Sequence, residues 1–123
     1  MNFSHLTALA RTTVAATQAR LPATVRVPAA AVPVHLEAFP SEDIMEEGLE
    51  PDILGLFVGP AYGDAPGEGN LVPPQIFLYL ENLWDFAEGD TQAFRDEVRL
   101  TYLHELGHYL GWDEEELTAR GLE

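Results

Sequence analysis

The chain has 123 residues, enough for one modest hydrophobic core and not for two, so residues 1–123 are expected to form a single domain. It holds no cysteine, which excludes disulfides, thiolate metal ligands and a thiol nucleophile, and leaves histidine and carboxylate as the metal ligands available. Its formal net charge is −15, from 21 acidic residues against 6 arginines and no lysine, a field that repels nucleic acid and anionic membrane and draws cationic partners.

The charge is unevenly placed: Arg11, Arg20 and Arg26 all precede the first acid, Glu37. Residues 1–20 are rich in Ala, Thr and Arg, a composition shared with organellar transit peptides. The helical spacing of Leu6, Leu9, Ala10, Thr13 and Thr17 favours a structural helix instead, capped by Ser4, stopped by Pro22 and docked through its basic face on an acidic body. There is no secretory apolar segment of adequate length and no apolar run long enough to span a membrane, so a cytoplasmic protein is expected.

Residues 21–32, punctuated by Pro22 and Pro28, read as an irregular connection with little helical character. Val34, Leu36 and Ala38 then alternate with His35, Glu37 and Phe39, the period of a half-buried strand, which places His35 opposite Leu36 as an ordinary strand histidine rather than a ligand. Residues 41–52 carry 6 acids and read as a solvated loop or short surface helix. The apolar run 53–58, bounded by Pro51 and Gly59, reads as the most buried strand. Residues 59–74 hold 4 glycines and 4 prolines but no lysine, which makes them a loop or a flap over a site rather than a phosphate loop.

A third strand is expected over Gln75, Ile76, Phe77, Leu78, Tyr79 and Leu80, and a short helical turn around Leu83, Trp84 and Phe86. Asp90 is a good N-cap for a long helix over 91–110, apolar on two sides and therefore buried between a sheet and other helices. The class is thus α+β, with an N-terminal helix, a small twisted sheet of about three strands, a buried helix and a short C-terminal helix.

The chemistry concentrates in the long helix and just beyond it, in His104-Glu105-Leu106-Gly107-His108-Tyr109-Leu110-Gly111 and the acids that follow. Residues four apart on a helix project from one face on successive turns, so His104 and His108 can share one cation. Glu105 lies about 100° from His104 and about 60° from His108 around the helix, within reach of a water on that cation without ligating it, the position of a general base. Zinc in a hydrolytic site takes three protein ligands and keeps one position open. Gly111 can end the helix in the left-handed conformation, and Asp113-Glu114-Glu115-Glu116 can cap a second helix that turns a carboxylate back toward the histidines.

The run HELGHYLGWDEEEL resembles the signature of the minimal zincin-like metallopeptidase family, small bacterial proteins with H-E-x-G-H-x-x-G followed by a short acidic helix. Gly107, Gly111 and the acidic cluster match that pattern, while the family's usual third-ligand Asp is replaced by Glu114, flanked by Asp113 and Glu115. Metzincins share the spacing, but their downstream methionine turn has no counterpart in the 15 residues after His108. The resemblance implies one Zn²⁺ per chain on His104, His108 and Glu114, with Glu105 as general base. It implies a peptide or protein substrate that pairs in extended form with an edge strand near the motif, for which 75–80 is the candidate. Tyr102 and Tyr109 lie on the same buried helix, where a tyrosine is expected to pack with a bonded hydroxyl rather than to assist in polarising the carbonyl. The competing reading is a non-catalytic, metal-stabilised module that binds a peptide or protein and has a closed coordination sphere.

Overall fold

The computed structural model describes residues 1–63 and 72–120. Helices α1 (Phe3–Ala19) and α2 (Ala23–Ala30) lead into strand β1 (Val34–Glu37). Helix α3 (Glu42–Glu46), strands β2 (Gly55–Val58) and β3 (Gln75–Tyr79), and helices α4 (Leu80–Phe86), α5 (Thr91–Leu110) and α6 (Glu114–Ala119) follow. The architecture is α+β, as the sequence leads one to expect.

The sheet has the order β1-β3-β2, with β1 parallel and β2 antiparallel to β3. Residues directly opposite one another point to the same face. The register Val34↔Ile76, Leu36↔Leu78, Gly55↔Leu78 and Phe57↔Ile76 therefore assembles one face, which packs against α5. Two expectations are corrected by this topology. The run 53–58 supplies a half-buried edge strand, whereas the most buried strand is β3, where Ile76, Leu78 and Tyr79 are wholly covered. And β3 is paired along both sides, so 75–80 offers no free edge to an incoming peptide; among the described residues the outer edges of the sheet belong to β1 and β2, and Leu80 already starts α4.

Helix α1 begins two residues earlier than a Ser4 cap would allow, because the Asn2 side chain accepts the His5 N–H at 2.8 Å. Leu6, Ala10, Val14 and Thr17 are buried where α1 meets α4 and α5. Each fully buried aliphatic there stabilises by about 1.5–3 kcal/mol relative to an exposed one. Threonine is tolerated in the stripe because Thr13 and Thr17 donate their hydroxyls to the carbonyls of Leu9 and Thr13, both at 2.8 Å. Arg11 and Arg20 stay exposed, so α1 docks through its apolar stripe and not through its basic face. Gln18 Nε2 also donates to the Tyr102 hydroxyl at 3.1 Å, tying α1 to α5.

Residues 21–32 are not an irregular connection: eight of them form α2. Pro22 stands at the N-cap, where its carbonyl accepts from Val25 and Arg26, both at 2.9 Å, and a missing N–H costs nothing. Pro28 does lie inside the helix and forfeits a bond there. Val25, Pro28 and Ala29, spaced i, i+3, i+4, bury one face of α2 in the core, and that burial opposes the loss.

Candidate active site

Helix α5 is fixed at both ends before it carries any chemistry. Asp90 Oδ2 accepts the Ala93 N–H at 2.7 Å, and Phe94, Val98 and Tyr102, all wholly buried, seat the first three turns. At the other end Gly111 takes φ 75°, ψ 23°, the left-handed cap expected of it. The Trp112 N–H then reaches back to the Gly107 carbonyl at 2.8 Å. A Cβ on Gly107 would stand 2.9 Å from Leu117 Cδ1 and 3.2 Å from the Trp112 carbonyl oxygen, so glycine lets the returning chain lie directly on the helix. Asp113 caps α6 by accepting the Glu116 N–H at 2.9 Å, and the Arg120 guanidinium lies 3.9 Å over the Trp112 ring. The acidic turn is thereby returned beside the last two turns of α5.

Within those turns the imidazoles of His104 and His108 face one another, with ring centroids 4.6 Å apart and planes 56° apart. His108 is exposed and His104 half-buried. Glu105, only 7% exposed, sits below them with Oε1 3.6 Å from His108 Nδ1. Burial pushes the Glu105 carboxyl above its ordinary range, while the neighbouring His104 and the Phe57 backbone N–H, which donates to the carboxylate, pull it the other way. Thus β2 holds the carboxylate from one side while α5 carries it from the other. That approach depends on Gly55: a Cβ there would lie 2.7 Å from Thr101 Cγ2, 3.0 Å from the Phe77 carbonyl oxygen and 3.4 Å from Glu105 Cγ.

Beside His104 and Glu105 opens a groove of about 540 Å³, walled by α5, by α6 and by the approach to β2 from Ile53 to Gly55. It gives Glu105 access to small molecules despite its burial. Two imidazoles on adjacent turns and a protected carboxylate next to them suit a borderline-soft divalent cation with nitrogen and oxygen ligands, such as zinc. Among the described residues no group of three His, Asp or Glu side chains is gathered for a metal ion. The Glu114 side chain, expected as third ligand, lies outside the described residues, as do residues 64–71 of the expected flap.

The two tyrosines of α5 pack, as expected of tyrosines on a buried helix. Tyr102 is wholly buried with its hydroxyl bonded to Gln18, and burial pushes its pKa up. Tyr109 is 7% exposed and packs its ring on Phe57 and Tyr62, at centroid distances of 5.6 and 5.7 Å. Its backbone carbonyl accepts the Tyr62 N–H at 2.7 Å, which fastens the start of the loop after β2 to the end of α5. His35 stacks on Phe77 at 4.9 Å on the sheet face turned away from Leu36, apart from the histidine pair. Sequence reasoning missed the Phe57 N–H, which has no side-chain signature, and Gly55, whose only signal was a glycine inside an apolar strand.

Residues 29–122 match the model of a family described as zincin-like metallopeptidase, a span that takes in all three strands, α5 and α6 and leaves out α1. No curated protein matches the chain.

Proposed function

We propose, on the premise that this chain belongs to the zincin-like metallopeptidase family, that it is a zinc-dependent peptidase in which Glu105 is the general base. The observation that carries this reading is the placement of Glu105: buried, next to the His104–His108 pair, and reached from outside through the groove. His104 and His108 would hold the metal through neutral imidazole nitrogens, with Glu114 as the oxygen ligand. A zinc ion there supplies Lewis acidity, polarising a carbonyl and making water easier to deprotonate.

The chain's own groups do the rest. Glu105 accepts a proton from the attacking water and returns it to the leaving amine. A raised carboxyl pKa suits that exchange better than an ordinary one, because it narrows the gap between the acid and the groups it serves. The Phe57 N–H keeps the carboxylate from rotating away, so orientation does not have to be recovered at each turnover. The outer edge of β2, the strand that meets the motif helix, takes the role first expected of 75–80 and pairs with an extended peptide or protein substrate through main-chain groups other than the Phe57 N–H, which Glu105 holds. The charge of −15 disfavours nucleic acid and anionic membrane as partners of the folded protein. Among the described residues no helix is long and apolar enough to cross a membrane.

A non-catalytic, metal-stabilised module could hold a peptide in the same groove, but it has no use for a buried carboxylate oriented beside the histidine pair, and Glu105 is what favours the enzyme. The test is metal content by mass spectrometry after dialysis against trace zinc, paired with a peptidase assay. Wild type should hold about one zinc per chain, His104→Ala should lose it, and Glu105→Gln should keep the metal while losing turnover by about a hundredfold or more. A wild type without zinc, or a Glu105→Gln variant as active as wild type, would refute the mechanism.

A further inference from the structure

The groove beside the motif is not uniform along its length. Next to His104 and Glu105 its walls are apolar, from Ile53 and Leu54 on the approach to β2 and from Leu100, a side chain left 39% exposed on α5. At its far end stands Glu97. Glu97 is seven positions before His104 on one helix, which sets it about 10 Å away along the axis and on the same face. Extended chain rises about 3.3 Å per residue, so the groove matches about three residues of a peptide.

Glu97 is a half-buried residue, and its side chain makes no hydrogen bond or ion pair among the described residues. A carboxylate at the end of an apolar groove, with no ion-pair partner among the described residues, offers a cationic side chain a complementary charge there. The charge of −15 over the whole chain adds an attractive field for a cation approaching that end. Walls, spacing and charge together specify an occupant. We infer that the groove selects cationic peptides. A large apolar side chain fills the part next to the cleaved bond, and a Lys or Arg two residues along, on the same side of the extended chain and long enough to span the remaining distance, pairs with Glu97. Glu97 and Leu100 are on this view specificity-determining residues; neither touches the reacting atoms.

This assignment rests on the peptidase reading above, and its test separates the two. Zinc-loaded wild type and Glu97→Lys are incubated with a peptide mixture cut from a proteome by a glutamate-specific protease, which keeps Lys and Arg inside the peptides, and new termini are read by mass spectrometry. Circular dichroism confirms that the variant is folded. Wild type should cut beside large apolar residues with Lys or Arg enriched two positions away. Glu97→Lys should lose that basic preference by about tenfold and still cut neutral peptides with the same apolar residue. The best-cut peptide should also bind Glu105→Gln about tenfold more tightly than it binds the Glu97→Lys, Glu105→Gln double variant, a readout independent of turnover. Cleavage with the same profile in wild type and Glu97→Lys overturns the assignment alone. No cleavage by zinc-loaded wild type overturns the peptidase reading and this assignment with it.

Discussion

Replacing Gly55 with alanine tests how Glu105 is held. The added Cβ would meet Thr101 Cγ2 at 2.7 Å and the Phe77 carbonyl oxygen at 3.0 Å. Carbon atoms rest at about 3.5–4.0 Å, so the methyl overlap is roughly 1 Å. Neither obstacle yields easily: Thr101 is branched at Cβ and 8% exposed, and the Phe77 carbonyl belongs to the central strand. Overpacking of this kind costs about 1–3 kcal/mol, and alanine recovers about 0.5–1 kcal/mol of chain entropy, which leaves a net loss of about 1–2 kcal/mol. The strain should relax by moving α5 off β2, lengthening the contact between Glu105 and the Phe57 N–H while His104 and His108, both on α5, move together. Urea unfolding should show the loss in the midpoint with the slope unchanged, and zinc content should stay at the wild-type level while kcat falls about tenfold or more. Thr101→Ser removes the obstructing methyl, so the pair should couple by about 1 kcal/mol in a double-mutant cycle. Strict additivity of the two changes, or a Gly55→Ala variant as stable and active as wild type, would refute the account of the close approach.

Tyr79 is wholly buried, its hydroxyl has no partner among the described residues, and its pKa is pushed up to about 12, by burial first and then by Glu37 and Glu105. Tyr79→Phe should therefore be neutral or stabilising by up to about 1 kcal/mol in urea unfolding, and a loss above about 1 kcal/mol would show that the hydroxyl is satisfied. In metal-free protein the Glu105 carboxyl binds its proton more tightly folded than unfolded, so its contribution to stability declines as pH rises from the ordinary carboxylate value through the folded one. Urea midpoints taken between about pH 4 and about pH 8 should show Glu105→Gln gaining on wild type as pH rises, and a difference that shrinks over that range would reverse the sign assigned to burial.

Helix α5 was legible to the residue, because Asp90 and Gly111 are strong end signals and two apolar sides lie between them. The histidine pair was legible for the same reason, since helical spacing alone brings His104 and His108 together. Prolines misled where the physics is positional: Pro22 starts a helix as readily as it stops one, and tertiary burial carried α2 through Pro28. Strand order was illegible because it is set by non-local pairing. A continuous apolar run marked 53–58 as interior, but Gly55 and its neighbours form an edge, and the aromatic strand 75–79 took the centre. The grip of Phe57 on Glu105 was invisible for another reason, since a main-chain N–H is the same at every residue and only the fold decides which one points at a carboxylate.

The bond between Gln18 and Tyr102 joins residues 84 apart, and the burial of the α1 stripe depends on helices that come from the last third of the chain. In a nascent polypeptide Leu6, Ala10 and Val14 therefore lack their main cover until α4 and α5 have been made. Synthesis runs at about 5–20 residues per second, so that apolar stripe waits several seconds for its complement, and ordering by non-local contacts comes late. During that interval the absence of acids before Glu37 acquires a cost as well as a use, because an uncompensated basic and apolar amphipathic segment is what holdase chaperones and anionic surfaces capture.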